Sequence, residues 1–266
     1  MPSALTAEAL DPLRADPARA AILLDIDGTL APIVEHAADA HVPEATRQLV
    51  KALANRYGLV ACVSGRRASE ARAMVSVGTI SYIGSHGAEL LRAGWTEPVL
   101  NAEVEDWARR VHDFAREVEN ADLRRNRVRI EDKGPILAFH WRGAHDEDAA
   151  RAAVDTVAAR AEAAGFRTHW GRKVLEVRPP VTFDKGSGIA ALLDGVEIDT
   201  ALFVGDDRTD LDAFSALRRL ADEGRIRHAI RVGVRSDEGP SELTDEADVV
   251  VEGTEGVREL LEMLTA

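Results

Sequence analysis

Ala21-Ile22-Leu23-Leu24-Asp25-Ile26-Asp27-Gly28-Thr29-Leu30 is the stretch on which the fold turns. Its first four residues form a continuous apolar run, the pattern of a strand buried on both faces. The run stops at Asp25, and a second acid follows two residues later. Two carboxylates this close at the end of a buried strand are costly unless a cation or a proton lies between them. Gly28 permits a sharp turn, and Thr29 offers a hydroxyl. Chemically, Asp25 is placed to attack phosphorus and Asp27 to act as general acid and then base. Conformationally, the same residues would serve as a turn with an Asx cap.

The same texture recurs outward from this stretch. A helix is expected from about Pro43 to Arg56, with Leu49, Val50 and Leu53 at helical spacing. Gly58 to Val63 reads as a second buried strand ending at Ser64, and a helix follows from about Ala68 to Val75. Ile80 to Ile83 reads as a third strand, followed by Gly84-Ser85-His86-Gly87. The alternation predicts a parallel α/β sheet, and the polar residues that stand out lie at the edge where such sheets bind ligands. Residues 1–19 read as a short helix or a loose lead-in.

From about residue 101 the pattern changes. A helix over about 101–120 leads into Arg127 to Lys133, and Ile136 to Arg142 alternates apolar and polar like a half-exposed antiparallel strand. An Ala-rich helix over about 146–164 and short strands near 166–170 and 174–178 complete a separate small α/β module, stopped by Pro179-Pro180. The parallel texture then resumes. Ile189 to Leu193 is helical, and Ala201 to Gly205 reads as a buried strand ending in Asp206-Asp207. A helix near 210–222, strands near 228–233 and 248–251 and a last helix at 256–265 follow. The domain expectation is one α/β domain, 1–100 with 183–266, split by an insertion, 101–182.

Composition limits the function classes. Of 266 residues, 33 are Lys or Arg and 46 are Asp or Glu, a net charge of −13 that disfavours nucleic acid or an anionic membrane as partner. A small anionic substrate would need a local cationic site or a metal. The single cysteine, Cys62, excludes an internal disulfide framework and fits a reducing compartment, so a cytoplasmic location is expected. No apolar run is long enough for a transmembrane helix, and the acidic start of the chain (Glu8, Asp11, Asp16) does not resemble a signal peptide.

Three further segments carry candidate chemistry. Gly205-Asp206-Asp207-Arg208-Thr209-Asp210 puts three acids within five residues beside a strand end, a donor set for Mg²⁺, although Asp is also favoured at helix starts. Ser64-Gly65-Arg66 offers a hydroxyl and backbone N–H groups to an anion, or a helix cap. Lys185, just before an expected helix, could hold phosphate or simply be solvated.

Taken in order, Asp25-x-Asp27-Gly28-Thr29, Ser64, Lys185-Gly186 and Gly205-Asp206-Asp207-x-x-Asp210 resemble the haloacid dehalogenase-like superfamily of phosphotransferases. The resemblance covers the chain from residue 20 and implies a Rossmann-like parallel-sheet core with an inserted α/β cap domain. With Gly84-x-His86-Gly87-Ala88-Glu89, Glu131-x-Lys133, His140-x-Arg142 and Gly171-Arg172-Lys173-Val174-Leu175-Glu176-Val177-Arg178-Pro179, the chain looks like the trehalose-6-phosphate phosphatases. Leu211 departs from that pattern, in which Glu often follows the final Asp.

The resemblance implies an Mg²⁺-dependent monoester hydrolase acting through a phospho-aspartate. Asp25, Asp27, Ser64 and Lys185 would be catalytic, and Asp25, Asp27 (through its backbone carbonyl), Asp206, Asp207 and Asp210 would surround the metal. Arg66, His86, Glu131, Lys133, His140, Arg142, Arg172, Glu176 and Arg178 would bind substrate. The cap residues also make sense without the family. Strand alternation puts Glu131 with Lys133, His140 with Arg142, and Glu176 with Arg178 on shared faces, opposite Leu137, Phe139, Trp141, Leu175 and Val177. The window 123–142 holds six basic and two acidic residues, net +4, which could attract a phosphorylated sugar; a solvated sheet face is the plain alternative. The expected partner is a small sugar phosphate, and the expected state a monomer. Sucrose phosphate or a glucosylglycerate phosphate is the alternative substrate, and a phospho-acceptor signalling module the alternative outside enzymes.

Overall fold

The computed structural model describes residues 3–4, 6–34, 40–181, 183–236 and 239–266. The chain divides into two compact units, Met1–Val99 with Phe183–Ala266, and Leu100–Thr182.

The first unit opens with β1 (Ser3–Ala4), α1 (Asp11–Ala15), β2 (Ala20–Leu24), α2 (Glu44–Arg56), β3 (Leu59–Val63), α3 (Ala68–Val75), β4 (Ser81–Gly84) and β5 (Glu89–Leu91), and β6 (Val99–Leu100) falls where the chain passes from the first unit to the second. The second contains α4 (Ala102–Val118), α5 (Ala121–Arg125), β7 (Arg129–Asp132), β8 (Leu137–His140), α6 (Glu147–Ala163), β9 (Arg167–Gly171) and β10 (Val174–Arg178). The chain then returns through α7 (Lys185–Leu193), β11 (Thr200–Gly205), α8 (Asp210–Asp222), β12 (His228–Arg235), α9 (Ser241–Glu246), β13 (Val249–Glu252) and α10 (Gly253–Thr265).

The large sheet runs β1-β13-β12-β11-β2-β3-β4-β5-β6. Its described pairings from β1 to β4 are parallel, and β5 turns antiparallel to β4. The α/β class with a mostly parallel sheet agrees with the sequence reading; the antiparallel edge was not anticipated. The continuous apolar run of β2 follows from two cores. Ala20, Ile22 and Leu24 face a core shared with α2 and α10, whereas Ala21 and Leu23 face one built on α7 and α8. Full burial of each large side chain here is worth about 1.5–3 kcal/mol. β3 and β11 alternate in the same way, Cys62 and Val204 to the first core, Ala61 and Phe203 to the second.

Some element ends differ from the expectation. α7 begins at Lys185 rather than near 189, because Asp184 and Ser187 form a reciprocal cap in which each side chain accepts the other's backbone N–H. The long helix expected over 101–120 ends at Val118, and Asn120 caps the short α5 by accepting from the N–H groups of Asp122 and Leu123. Among the described residues, no helix is long and apolar enough to cross a membrane.

In the second unit the sheet order is β7-β8-β10-β9, all antiparallel. Leu137, Phe139, Leu175 and Val177 pack with Val111 and Phe114 of α4 and Val154 and Val157 of α6. β8 is less exposed than its alternation suggests, since Ala138 is buried along with Leu137 and Phe139. Arg142 falls beyond the strand, in an exposed turn.

Candidate active site

β2 delivers Asp25 at its end, where the Asp25 N–H donates to the Val204 carbonyl of β11. The chain then folds back over Ile26 to Ala31, with the Leu30 and Ala31 N–H groups both donating to the Ile26 carbonyl. Gly28 makes this turn possible twice over. Its φ is +90°, and a Cβ there would run into the Asp206 carboxylate. Thr29 donates its hydroxyl to Asp206 Oδ1 at 3.1 Å. The turn thus delivers a hydroxyl and a close backbone approach to an acid from a different strand.

Asp206 follows β11, and Asp210 opens α8. Asp210 is fully buried, and its Oδ2 accepts the N–H groups of Asp206 and Asp207, each at 2.9 Å. Its Oδ1 accepts from Lys185 Nζ at 2.7 Å, and the same ammonium donates to Asp25 Oδ1 at 2.7 Å. Lys185 is the first residue of α7, where the helix dipole repels a cation; the two carboxylates hold it there. Asp207 stands apart, with its carboxylate half exposed. It accepts the Thr209 and Asp210 N–H groups and the Thr209 hydroxyl, and lies 3.8 Å from Lys185 Nζ.

Ser64, at the end of β3, is buried, and its Oγ accepts the Arg66 N–H at 3.1 Å. The Arg66 guanidinium grips Asp27 with both arms, Nε to Oδ2 and Nη2 to Oδ1, each at 2.7 Å. This fork-to-carboxylate pair was not foreseen from the sequence, where Arg66 stood only as a substrate contact. The loop carrying it is clamped from below. Ser85 and His86 donate their N–H groups to the carbonyls of Arg66 and Ser64, and His86 lies against Gly65. Buried Glu89 accepts the Ala68 N–H at 2.7 Å. Ser85 and His86 both adopt left-handed backbone, φ +49° and +55°, a strain that these contacts outweigh.

Asp25, Asp206 and Asp210 offer carboxylate oxygens within 4.8 Å of one another. Burial pushes all three up from the ordinary value: Asp25 to about 7, with Lys185 opposing; Asp206 to about 6, reinforced by Asp210; Asp210 to about 8, with Lys185 opposing and Asp25 reinforcing. Burial alone would lower Lys185, but Asp210, Asp25 and Asp207 outweigh it and raise it. Asp207 ends lowered, since Lys185, Thr209 and Asp210 outweigh its own burial. Three buried carboxylates against one ammonium leave a negative excess. Hard oxygen donors with such an excess fit a divalent cation such as Mg²⁺.

In the second unit, the predicted substrate contacts largely engage each other. Glu131 Oε2 lies 2.7 Å from His140 Nε2. Lys133 donates to Glu176 Oε1 at 3.2 Å, while Arg178 donates to Glu176 Oε2 through Nε and Nη2 at 3.0 and 2.5 Å. Burial works to raise Glu176, but Arg178 and Lys133 outweigh it and hold it low. Arg142 and Arg172 are exposed, Arg172 at the tip between β9 and β10.

The profile of the trehalose-phosphatase family matches residues 23–250. A probable trehalose-phosphate phosphatase D of Arabidopsis thaliana is 30% identical over 216 residues, covering 74% of this chain and 56% of that protein. The chain therefore spans little more than half of that relative. The C-terminal domain of a C. albicans trehalose-6-phosphate phosphatase superposes with a TM-score of 0.71 at 21% identity, covering 100% of this chain and 99% of that one. An Aspergillus fumigatus trehalose-6-phosphate phosphatase gives 0.65 at 25% identity, with 100% and 99% covered.

Proposed function

The chain belongs to the trehalose-phosphatase family, and on that premise we propose that it hydrolyses trehalose 6-phosphate to trehalose and inorganic phosphate. The observation that carries this reading is the sharing of buried Lys185 between Asp25 and Asp210, at 2.7 Å each, beside Asp206. Four residues from three separate segments meet at the carboxyl edge of one sheet, the place for a phosphoryl group.

In the proposed reaction a carboxylate oxygen of Asp25 attacks phosphorus in line with the sugar ester oxygen. The P–O bond to the sugar breaks as the Asp25–phosphorus bond forms, and Asp27 gives its proton to the leaving sugar oxygen. Water then attacks the phospho-aspartate, Asp27 accepts a proton from it, and phosphate leaves with Asp25 restored. Arg66 holds Asp27 as the carboxylate with both arms, the form that accepts the proton from water, and one arm must let go for Asp27 to carry the proton it gives to the sugar oxygen. Lys185 and Ser64 hold the phosphoryl oxygens as their charge shifts. Asp25, Asp206 and the Asp27 backbone carbonyl would hold Mg²⁺, with Asp210 and Asp207 organising the loop around them. When bound, Mg²⁺ offsets the repulsion between an anionic nucleophile and an anionic phosphate.

Residues 101–182 would be the specificity domain, and 1–100 with 183–266 the catalytic one. Glu131, Lys133, His140, Arg142, Arg172, Glu176 and Arg178 would meet sugar hydroxyls. Arg66 and His86 would belong to the phosphate side. A phosphate-release panel with Mg²⁺ tests the reading, using trehalose 6-phosphate, sucrose 6-phosphate, a glucosylglycerate phosphate and p-nitrophenyl phosphate. Preference for trehalose 6-phosphate is expected. Preference for another sugar phosphate overturns the substrate, and no release from any ester overturns the enzyme.

A further inference from the structure

Antiparallel partners stand directly opposite each other on one face of a sheet. In the second unit Glu131 of β7 is opposite Ala138 of β8, Ala138 is opposite Glu176 of β10, and Glu176 is opposite His169 of β9. A row of four residues from four strands therefore crosses the sheet: Glu131, Ala138, Glu176, His169. The next residue along β9, Trp170, points to the other face. It meets Trp141 edge-on, with ring centroids 6.0 Å apart, and carries the Arg151 guanidinium of α6 3.8 Å above its ring. That packing fixes β9 and leaves His169 exposed on the polar face.

The other polar members of the row are spoken for. Glu131 pairs with His140, and Glu176 gives one oxygen to Lys133 and the other to Arg178. Among the described residues, the His169 side chain makes no hydrogen bond or ion pair. An imidazole can donate from one nitrogen and accept at the other, which suits a hydroxyl that does both. The carboxylates of the row are matched by Lys133, Arg178 and His140, so those groups are not free for an anion, and a neutral polyhydroxyl ring suits the row.

We propose that His169 is a specificity-determining residue that contacts the non-phosphorylated sugar ring of the substrate beside Glu176. This assignment rests on the sugar-phosphate reading above. Its strand position ties it to the row, and its open hydrogen-bonding groups face the side on which the other polar residues lie.

The test compares wild type, His169→Ala and His169→Gln on trehalose 6-phosphate and on p-nitrophenyl phosphate, with melting temperatures measured alongside. One hydrogen bond to a neutral group corresponds to a fall of about 3- to 10-fold in the ratio of kcat/KM between the two esters for His169→Ala. The loss should appear in KM for the sugar ester, with partial recovery in His169→Gln, which keeps a donor and an acceptor. An unchanged ratio, or an equal loss on both esters, overturns the assignment. A wild type that cleaves p-nitrophenyl phosphate but not trehalose 6-phosphate overturns the substrate reading instead, and His169 loses its proposed ligand with it.

Discussion

Replacing Lys185 with Met removes the ammonium that two buried carboxylates share while keeping most of the side chain's volume. The Lys185 side chain is 2% exposed, and those of Asp25 and Asp210 are 6% and 0% exposed. Removing one partner of a buried pair costs about 3–5 kcal/mol, because the charge left behind has no solvent. At roughly 2–4 °C per kcal/mol for a chain of this size, that is a fall of about 6–20 °C in melting temperature. The loss should depend on pH. Asp25, Asp206 and Asp210, raised to about 7, 6 and 8, take up protons on folding. Their folded forms are therefore favoured below their ordinary value near 3.8, and that advantage fades as pH rises through the folded values. Lys185, raised above 10.5, stays charged throughout that window. At acid pH the carboxyls can carry protons and tolerate the missing ammonium; at alkaline pH they cannot. Urea unfolding of metal-free wild type and Lys185→Met, at about pH 5 and about pH 8.5, should show the larger gap at the higher pH. Equal gaps at both values, or no gap at pH 8.5, would refute the shared-charge account of the site.

Asp25→Asn should lower turnover by at least about 10³-fold, since the proposed covalent step is lost while the shape survives. Its metal-free melting temperature at pH 8 should not fall, because a buried charge has been removed; phosphate release and a thermal scan check both. Mg²⁺ at about 100 times its dissociation constant should add roughly 2.7 kcal/mol to stability. Binding near pH 7 should also release protons from the raised carboxyls, which calorimetry in two buffers of different ionisation enthalpy measures; binding without proton release would place the ion elsewhere. Arg66→Lys keeps the charge but loses the fork onto Asp27, so kcat should fall by about 10-fold or more, since a point ammonium cannot hold both oxygens. An unchanged kcat would show that the grip on Asp27 is incidental.

The core of the fold was legible because its strands are covered on both sides. Ala21 to Leu24 reads as an unbroken apolar run for the same reason that its residues alternate between two helical layers. The acids at the ends of β2 and β11 were legible because nothing in those cores explains a charge. Lys185 was harder. Its value depends on the cap formed by Asp184 and Ser187, which starts α7 earlier than apolar spacing suggests and so brings Nζ between Asp25 and Asp210. The Arg66 grip on Asp27 was invisible because 39 residues separate the partners and no periodicity links them.

The sheet of the second unit marks the boundary more sharply. Period-two alternation says which residues of one strand share a face, but not which strands are neighbours. The order β7-β8-β10-β9 is what sets Glu176 between Ala138 and His169. It also lets Lys133, just past the end of β7, reach Glu176 on β10 with β8 lying between them. Two strand spacings amount to about 9.6 Å, a span that a lysine and a glutamate can close only over a small side chain. Ala138, opposite Glu131 on one side and Glu176 on the other, is the small side chain of β8 beside that path. In the sheet it lies between Glu131 of β7 and Glu176 of β10, so its small side chain would shape the proposed sugar surface along with those charges.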